Sequence, residues 1–127
     1  MSEIQHIDWN RIAKNAGGFS PLVFEFIRDG LEHTIRTVHG PGDVGDETRH
    51  VSGAQLCLGF RDLAVRRYGA LARTVLKHWG VQATEDFGRL VFALIEAGVL
   101  RESQDDRYDD FVGVYDFDEA FAEAELI

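Results

Sequence analysis

The sequence predicts a mainly α-helical domain of the α+β class that ends in a β-hairpin, with the element order of a winged helix. Three observations support this. Apolar residues recur every three or four positions over most of the chain, glycine follows each such segment, and the period changes to two near the C-terminus. The 127 residues match the size of one domain. We expect a single domain over 1–127, with 1–19 as an N-terminal helical extension and 20–127 as the core.

Five helices are predicted because capping residues, each preceded by an apolar residue, stand at the starts of several periodic segments. Asp8, Ser20 and Ser52 are the clearest caps, and Gln55 completes a capping box with Ser52. Pro21 occupies a first helical position, where its missing N–H costs nothing. The predicted helices span about 8–16, 21–39, 53–68, 70–79 and 85–97. The glycines that end them are Gly17, Gly40, Gly69, Gly80 and Gly98.

The C-terminal region is predicted to form a two-stranded ribbon. Over 111–117, aromatic or apolar residues occupy every second position and strand-favouring valines stand between them. The predicted partner strand is 99–102, and 103–110 is the predicted hairpin loop. A short closing helix over 119–125 is entered through Asp116.

The order of these elements, a helix, a tight turn, a second helix and then a ribbon, is that of a winged helix-turn-helix. The predicted helix 85–97 takes the place of the recognition helix. This analogy concerns the fold and does not by itself assign a function.

The charge distribution bears on the class of partner. The net charge of −9 disfavours nucleic acid, because a phosphate backbone repels an acidic surface. However, residues 49–101 include eight basic and four acidic residues, whereas 102–127 include ten acidic residues and one basic residue. The chain therefore has a basic middle and an acidic C-terminal segment.

The candidate partner-binding residues lie in the basic segment 61–77 and directly after it. They are Arg61, Arg66, Arg67, Arg73, Lys77, His78 and Trp79. Cations on two helices could face phosphate, pair with the acidic C-terminal segment or remain in solvent. The predicted recognition helix begins at Thr84-Glu85-Asp86, which would point two acids at phosphates. We therefore favour the other two interpretations.

Patterns that suggest catalysis have structural alternatives, which we favour. Cys57 is the only cysteine, which excludes an intrachain disulfide, and on an apolar helix it is expected to be a small buried hydrophobe. The segment 40–45 matches the dinucleotide fingerprint G-x-G-x-x-G, but it follows a helix and contains an acid, so we expect an exposed loop. The histidines lack the i, i+4 pair of a helical zinc site. His50 and His78 keep an enzyme or metal protein open as the least favoured hypothesis.

The acidic residues near the C-terminus could supply hard oxygen ligands to calcium or magnesium. Their spacing does not match an EF-hand loop, and we expect a solvated loop, with an acidic segment folded over the basic middle as the second structural alternative. These residues are Asp105, Asp106, Asp109, Asp110, Asp116, Asp118 and Glu119.

Five motifs together resemble those of a small uncharacterised bacterial family of planctomycete-type proteins. The motifs are His50-Val51-Ser52-Gly53, His78-Trp79-Gly80, Thr84-Glu85-Asp86-Phe87-Gly88, Glu96-Ala97-Gly98 and Val114-Tyr115-Asp116-Phe117. The resemblance covers about residues 20–121. It implies a stand-alone bacterial domain and supplies no catalytic residues, because the family has no established activity.

These observations favour a non-catalytic protein-interaction or regulatory module in the cytoplasm, with no catalytic, cofactor or metal site. Charge interrupts every apolar stretch, so neither a membrane span nor an export signal is expected. The alternative is a nucleic-acid-binding, winged-helix-like domain that uses the basic segment 61–77 and is regulated by the acidic C-terminal segment.

Overall fold

A computed structural model of the chain describes residues 7–42, 49–101 and 107–126. Within these ranges the chain forms helices and no strand. The α-helices are α1 (Trp9–Ala16), α2 (Val23–His39), α3 (Gly53–Tyr68), α4 (Ala72–His78), α5 (Thr84–Glu96), α6 (Phe117–Ala120) and α7 (Ala122–Glu125). Two short 3-10 helices span Gly69–Leu71 and Tyr108–Phe111.

Local capping bonds begin several helices where the sequence predicts. The Asp8 carboxylate accepts the Arg11 N–H at 3.1 Å. The Ser52 capping box is confirmed, because Gln55 N–H donates to Ser52 Oγ at 3.1 Å and Ser52 N–H donates to Gln55 Oε1 at 2.8 Å. Two boundaries differ from the prediction. Helix α2 begins two residues later than predicted, and the predicted helix 70–79 opens as a 3-10 helix before α4.

Helices α2 and α3 pack closely because each presents a glycine at the contact. A Cβ atom on Gly30 would lie 2.2 Å from the Phe60 ring, and a Cβ atom on Gly59 would lie 1.8 Å from Thr34 Oγ1. The buried Thr34 hydroxyl donates to the Gly30 carbonyl at 2.7 Å, which satisfies it inside the core. The backbones of α2 and α3 therefore approach each other more closely than a residue larger than glycine at either position would allow.

Aromatic side chains join this helix pair to the rest of the core. The Phe60 and Phe87 ring centroids lie 4.7 Å apart, which connects α3 to α5. Helix α1, in the predicted N-terminal extension, packs on α5 and contributes Ala13 to the same core. One hydrophobic cluster thus includes residues from α1 to α6.

The predicted first strand, 99–102, is wrong, because the chain after α5 forms a helix C-cap. Gly98 has a φ of +79°, and the N–H groups of Val99 and Leu100 both donate to the Leu94 carbonyl, at 2.9 and 3.3 Å. Such bonds are typical of a helix end with a left-handed glycine. They use the N–H groups that a strand would need for its partner. Residues 102–106, which include half of the predicted hairpin loop, lie outside the described residues, as do residues 43–48 of the glycine-rich segment.

The predicted second strand, 111–117, is also wrong. Its first residue ends the second 3-10 helix and its last residue begins α6. Between them, Gly113 N–H donates to Glu85 Oε1 at 3.5 Å and Val114 N–H donates to Thr84 Oγ1 at 3.2 Å. These backbone groups therefore bond to side chains of α5. The α+β class, the C-terminal β-hairpin and the winged-helix-like build are corrected to an all-helical fold over the described residues.

The period-two pattern has a different cause, since its aromatic residues anchor one segment to several helices. Phe111 lies between α3 and α5, where a Cβ atom on either Gly53 or Gly88 would approach it to 2.9 Å. The Tyr115 hydroxyl donates to the Cys57 carbonyl at 2.7 Å. Phe117 is buried beside Phe87, with ring centroids 6.1 Å apart. The aromatic residues at every second position are therefore separate anchoring contacts and not one face of a strand.

The predicted closing helix, 119–125, is present as the two short helices α6 and α7, separated by the fully buried Phe121. Its predicted entry through Asp116 is confirmed, because the Asp116 carboxylate accepts the N–H groups of Asp118 and Glu119 at 2.7 and 3.4 Å. The C-terminal segment is therefore integrated into the core.

Candidate interaction surface

The predicted basic residues separate into three groups in the structure. Arg66 and Arg67 pair with acids of the α2–α3 hairpin: Arg66 Nε lies 2.9 Å from Asp62 Oδ2, and Arg67 Nη2 lies 2.9 Å from Asp29 Oδ2. These arginines are exposed, and their pairs are local contacts of the kind that contribute little to stability.

Arg61 and Arg73 contact the C-terminal segment. Arg61 Nε donates to the Ala120 carbonyl at 2.7 Å, and Arg73 forms an ion pair with Asp118 on α6. These two contacts are those expected if the acidic C-terminal segment folds over the basic middle.

Lys77, His78 and Trp79 end α4 and differ in environment. The Trp79 ring is half-buried, with its centroid 5.7 Å from that of Phe26 and 6.0 Å from that of Tyr68. Lys77 and His78 are exposed, and within the described part of the chain neither forms an ion pair with a carboxylate. Trp79 is thus a packing residue, whereas the ammonium group of Lys77 has no carboxylate partner among the described residues.

A recess of about 240 Å³ lies beside α4, and we call it the α4 recess. Its lining residues are Arg73, Thr74, Lys77, Val81, Gln82 and Phe117. Val81 and Phe117 are buried beneath the recess and expose almost no surface, while two cations, a hydroxyl and an amide surround it. Arg73 and Lys77 are four residues apart and therefore lie on one side of the helix.

The sequence predicted the two cations of the α4 recess and missed its other components. Spacing at i, i+4 is visible in the sequence and places Arg73 beside Lys77. Asp118 is distant from both in sequence, and its contact with Arg73 depends on how the C-terminal segment packs. The apolar lining likewise comes from two separate regions of the chain.

The acids at the start of α5 have structural roles. Asp86 Oδ2 accepts the N–H groups of Gln82 and Ala83, at 2.8 and 3.1 Å, and so caps the helix. Backbone hydrogen bonds, including one from Gly113, lower the pKa of Glu85 against the opposing effect of its partial burial. These acids stabilise a helix end that faces the C-terminal segment.

Cys57 is buried between α3 and α5, with Sγ 4.0 Å from the Thr84 carbonyl. Burial, with a smaller contribution from the Glu85 charge, raises the pKa of this thiol to about 12. Because the thiolate is the reactive species, the structure gives Cys57 no nucleophilic role at neutral pH.

We expect native protein to resist alkylation of Cys57 by iodoacetamide at pH 8 and to react fully in guanidinium chloride. Mass spectrometry of the two samples measures this. In a Cys57→Ala background, Leu58→Cys places a thiol at an exposed position on the same helix and should react without denaturant. Rapid alkylation of Cys57 in the native protein would contradict its burial.

A second, shallower depression lies between α2 and α3, and we call it the α2–α3 groove. It has a volume of about 370 Å³. Its lining residues are Asp29, Glu32, His33, Arg36, Thr37, Leu63 and Arg67. Near the groove, His33 Nε2 lies 2.7 Å from Asp62 Oδ2, which also accepts from Arg66. Of the ionic groups that line the groove, Asp29 pairs across the helix hairpin with Arg67, and Glu32 pairs within α2 with Arg36.

Asp62 should stabilise the fold in a pH-dependent way. Partial burial raises its pKa, but hydrogen bonds from His33 and Arg66 outweigh that effect and hold the pKa below its usual value. A depressed carboxyl pKa stabilises the folded state above the unfolded pKa of about 4, and this stability is lost as the pH falls through the folded pKa.

We therefore expect Asp62→Asn to lower the free energy of unfolding at pH 5 by at most about 1 kcal/mol, because the pair is partly exposed. Urea denaturation of both proteins from pH 5 to pH 2 should show the difference shrinking below about pH 4. A difference that grows at acidic pH would contradict the assignment.

The described residues include no group of three or more histidine, cysteine or acidic side chains arranged to hold a metal ion. Of the acids considered as ligands, Asp116 caps α6 and Asp118 pairs with Arg73, while Asp105 and Asp106 lie outside the described residues. The His50 carbonyl accepts a hydrogen bond from His39 Nε2 at 2.7 Å. The residues behind the metal hypothesis are therefore spread over separate parts of the fold.

The fold and this surface define a helical domain with a cationic, partly apolar recess formed by α4 and α6, and with no helix in the described ranges long and apolar enough to span a membrane. No protein-family model, curated protein or solved structure gives a significant match to the chain. The resemblance to a planctomycete-type family stays a prediction.

Proposed function

We propose that this domain is a non-catalytic protein-interaction module whose contact surface is the face of α4 around the α4 recess. The observation that carries the proposal is the environment of Lys77: an exposed ammonium group without an ion-pair partner in the described residues, at the edge of a cationic recess. Such a group suits the rim of a protein interface, which is polar and accessible to solvent.

A neighbouring residue extends this face. Leu71, directly before α4, is 63% exposed and lies three residues before Thr74 of the recess. An exposed leucine alone is unremarkable, but one next to a cationic recess adds apolar area that a partner can bury.

Catalysis is less well supported. The charged side chains of Asp86, Asp62 and Arg61 make contacts that cap helices or join them. The thiol of Cys57 is buried with a raised pKa. We find no acid–base pair beside a nucleophile in the described residues, although such a pair is the geometric requirement for acyl or phosphoryl transfer by side chains.

The nucleic-acid alternative also has less support than a protein partner. Four arginines of the basic segment, Arg61, Arg66, Arg67 and Arg73, each have an acceptor within the chain. A phosphate backbone needs several cations along its path, and here it would have to displace those acceptors. We retain nucleic acid as an outcome of the tests below.

We also propose that the protein is cytoplasmic and bacterial. The bacterial source rests on the family resemblance of the sequence. A lone buried thiol, Cys57, is compatible with a reducing compartment.

The two lysines of the chain allow a matched test. Lys77 lines the α4 recess, whereas Lys14 is exposed on α1. We expect tagged wild-type protein and Lys14→Glu to retain the same partner after cross-linking in cells, and Lys77→Glu to lose it, as measured by quantitative mass spectrometry. Equal retention by both variants would refute the proposed surface, and loss of the partner after nuclease treatment would favour nucleic acid instead.

A further inference from the structure

Arg73, which lines the α4 recess, already contacts a carboxylate of the same chain, and this contact indicates what an external ligand would be. Asp118 on α6 forms an ion pair with Arg73, and its side chain is 74% exposed, whereas that of Arg73 is 37% exposed. Exposed ion pairs of this kind are weak, because solvent competes for both charges. A ligand carboxylate can therefore replace Asp118 at small cost.

The position of Asp118 does not depend on its own side chain. Asp116 caps α6 by accepting the Asp118 N–H at 2.7 Å, and Arg61 Nε donates a hydrogen bond to the Ala120 carbonyl at 2.7 Å. Phe117 and Phe121 on either side are buried. The Asp118 carboxylate can thus be removed or displaced while the C-terminal segment stays packed.

The remaining components of the recess define the chemistry of the ligand. A guanidinium binds a carboxylate with two parallel hydrogen bonds, and the ammonium group of Lys77 adds a second positive charge one helical turn away. The exposed Leu71, three residues before Thr74 of the recess, can pack on an aliphatic side chain next to that carboxylate.

A polyanion fits this surface less well than a single carboxylate. Asp116 and Glu119 are exposed on the same short segment as Asp118, and the chain carries a net charge of −9. These charges repel a continuous phosphate backbone but leave room for one acidic side chain between Arg73 and Lys77.

We infer that the α4 recess binds a short protein segment in which an acidic residue adjoins an apolar one, and that Asp118 is an internal competitor which the ligand carboxylate displaces. The inference rests on the proposed interaction function. It adds the chemistry of the partner, and it assigns to Asp118 the role of lowering the affinity of the recess for that partner.

The test uses fluorescence anisotropy at low salt with a fluorescein-labelled peptide of sequence GSGLELGS, which has one acidic residue, and its uncharged match GSGLQLGS. We expect the acidic peptide to bind wild-type protein, to bind Asp118→Asn about two- to fivefold more tightly, and to lose about tenfold in affinity with Arg73→Gln or Lys77→Gln. The Lys14→Gln variant is the control and should match the wild type. The uncharged peptide should bind much more weakly than the acidic one to every protein.

Equal affinity of wild type and Asp118→Asn, equal binding of the two peptides, or no binding of the acidic peptide would overturn the inference. Tighter binding of a labelled oligothymidine than of the acidic peptide, lost in Lys77→Gln, would overturn it in favour of nucleic acid. If the cellular partner is lost in Lys77→Glu while the peptide results fail, the proposed function stands and this inference does not. If the partner is equally retained by Lys77→Glu and Lys14→Glu, the proposed surface itself fails.

Discussion

Phe111→Ala should lower the free energy of unfolding by about 3–5 kcal/mol, the range for removing a buried phenylalanine side chain. Phe111 is buried between α3 and α5, against the backbones of Gly53 and Gly88. Neither glycine has a side chain that could fill the space left by the ring. Urea denaturation followed by circular dichroism measures the loss.

The adjacent residue is the control, because Val112 is 49% exposed and Val112→Ala should change stability by less than about 0.5 kcal/mol. A double-mutant cycle makes the test specific to the packing. A Cβ atom on Gly88 would lie 2.9 Å from Phe111 Cγ and 3.2 Å from Cδ1, and Phe111→Ala removes both atoms, so Gly88→Ala should cost more stability in the wild type than in a Phe111→Ala background. Additive effects of the two substitutions would contradict the placement of Phe111.

Gly30→Ala should destabilise the fold by about 1–3 kcal/mol, even though alanine favours helix over glycine by about 1 kcal/mol. The new methyl group would lie 2.2 Å from the Phe60 ring, and Phe60 is fully buried and packed on Phe87. The ring therefore has no free space to move into, so α2 and α3 must separate. Thermal and urea denaturation both measure this effect.

Arg28→Ala on the same helix is the matched control, because Arg28 is exposed and its replacement should stay within about 0.5 kcal/mol of the wild type. An increase in stability for Gly30→Ala would show that the helix preference of alanine dominates, and that α2 and α3 do not approach each other as described.

The helix positions could be predicted from sequence because local contacts determine them. The Ser52 capping box and the Asp8 cap each involve residues three apart, and the glycines predicted to end the helices have positive φ values. Such signals need no knowledge of the rest of the fold. The larger boundary shifts are at the start of α2 and near Gly69, where a 3-10 helix precedes α4.

The C-terminal ribbon was predicted wrongly because alternation of aromatic residues does not identify what each residue contacts. Phe111, Tyr115 and Phe117 reach different partners on α3 and α5. Strand pairing requires backbone partners, but here two backbone N–H groups bond to Thr84 and Glu85. These contacts join residues about thirty positions apart, which a local pattern cannot reveal.

The C-terminal segment also changes how a regulatory role should be tested. Phe111, Phe117, Phe121 and Ala124 are buried, so deletion of residues 102–127 would remove part of the core. Any change in binding after that deletion would be confounded by unfolding. Substitution of Asp118 alone alters the charge near Arg73 while the buried anchors remain.

The α4 recess was predictable only in part. Spacing at i, i+4 on one helix places Arg73 beside Lys77, but the sequence left open whether the seven candidate residues bind a partner, pair with the acidic segment or face solvent. The structure engages most of them in separate contacts, because acids on α2, α3 and α6 lie within reach of different arginines. Because most of these cations already have partners on other helices, the part of the basic segment left for a binding partner is the small surface around Lys77.

Lysine acetylation of the purified complex tests the proposed surface most directly, because Lys14 and Lys77 are the only lysines of the chain and each molecule carries its own reference. Brief treatment of free and partner-bound protein with the N-hydroxysuccinimide ester of acetic acid, followed by mass spectrometry, gives the labelling rate at each lysine. We predict that the partner slows labelling of Lys77 strongly and leaves Lys14 unchanged. Equal rates at Lys77 with and without the partner would contradict the account.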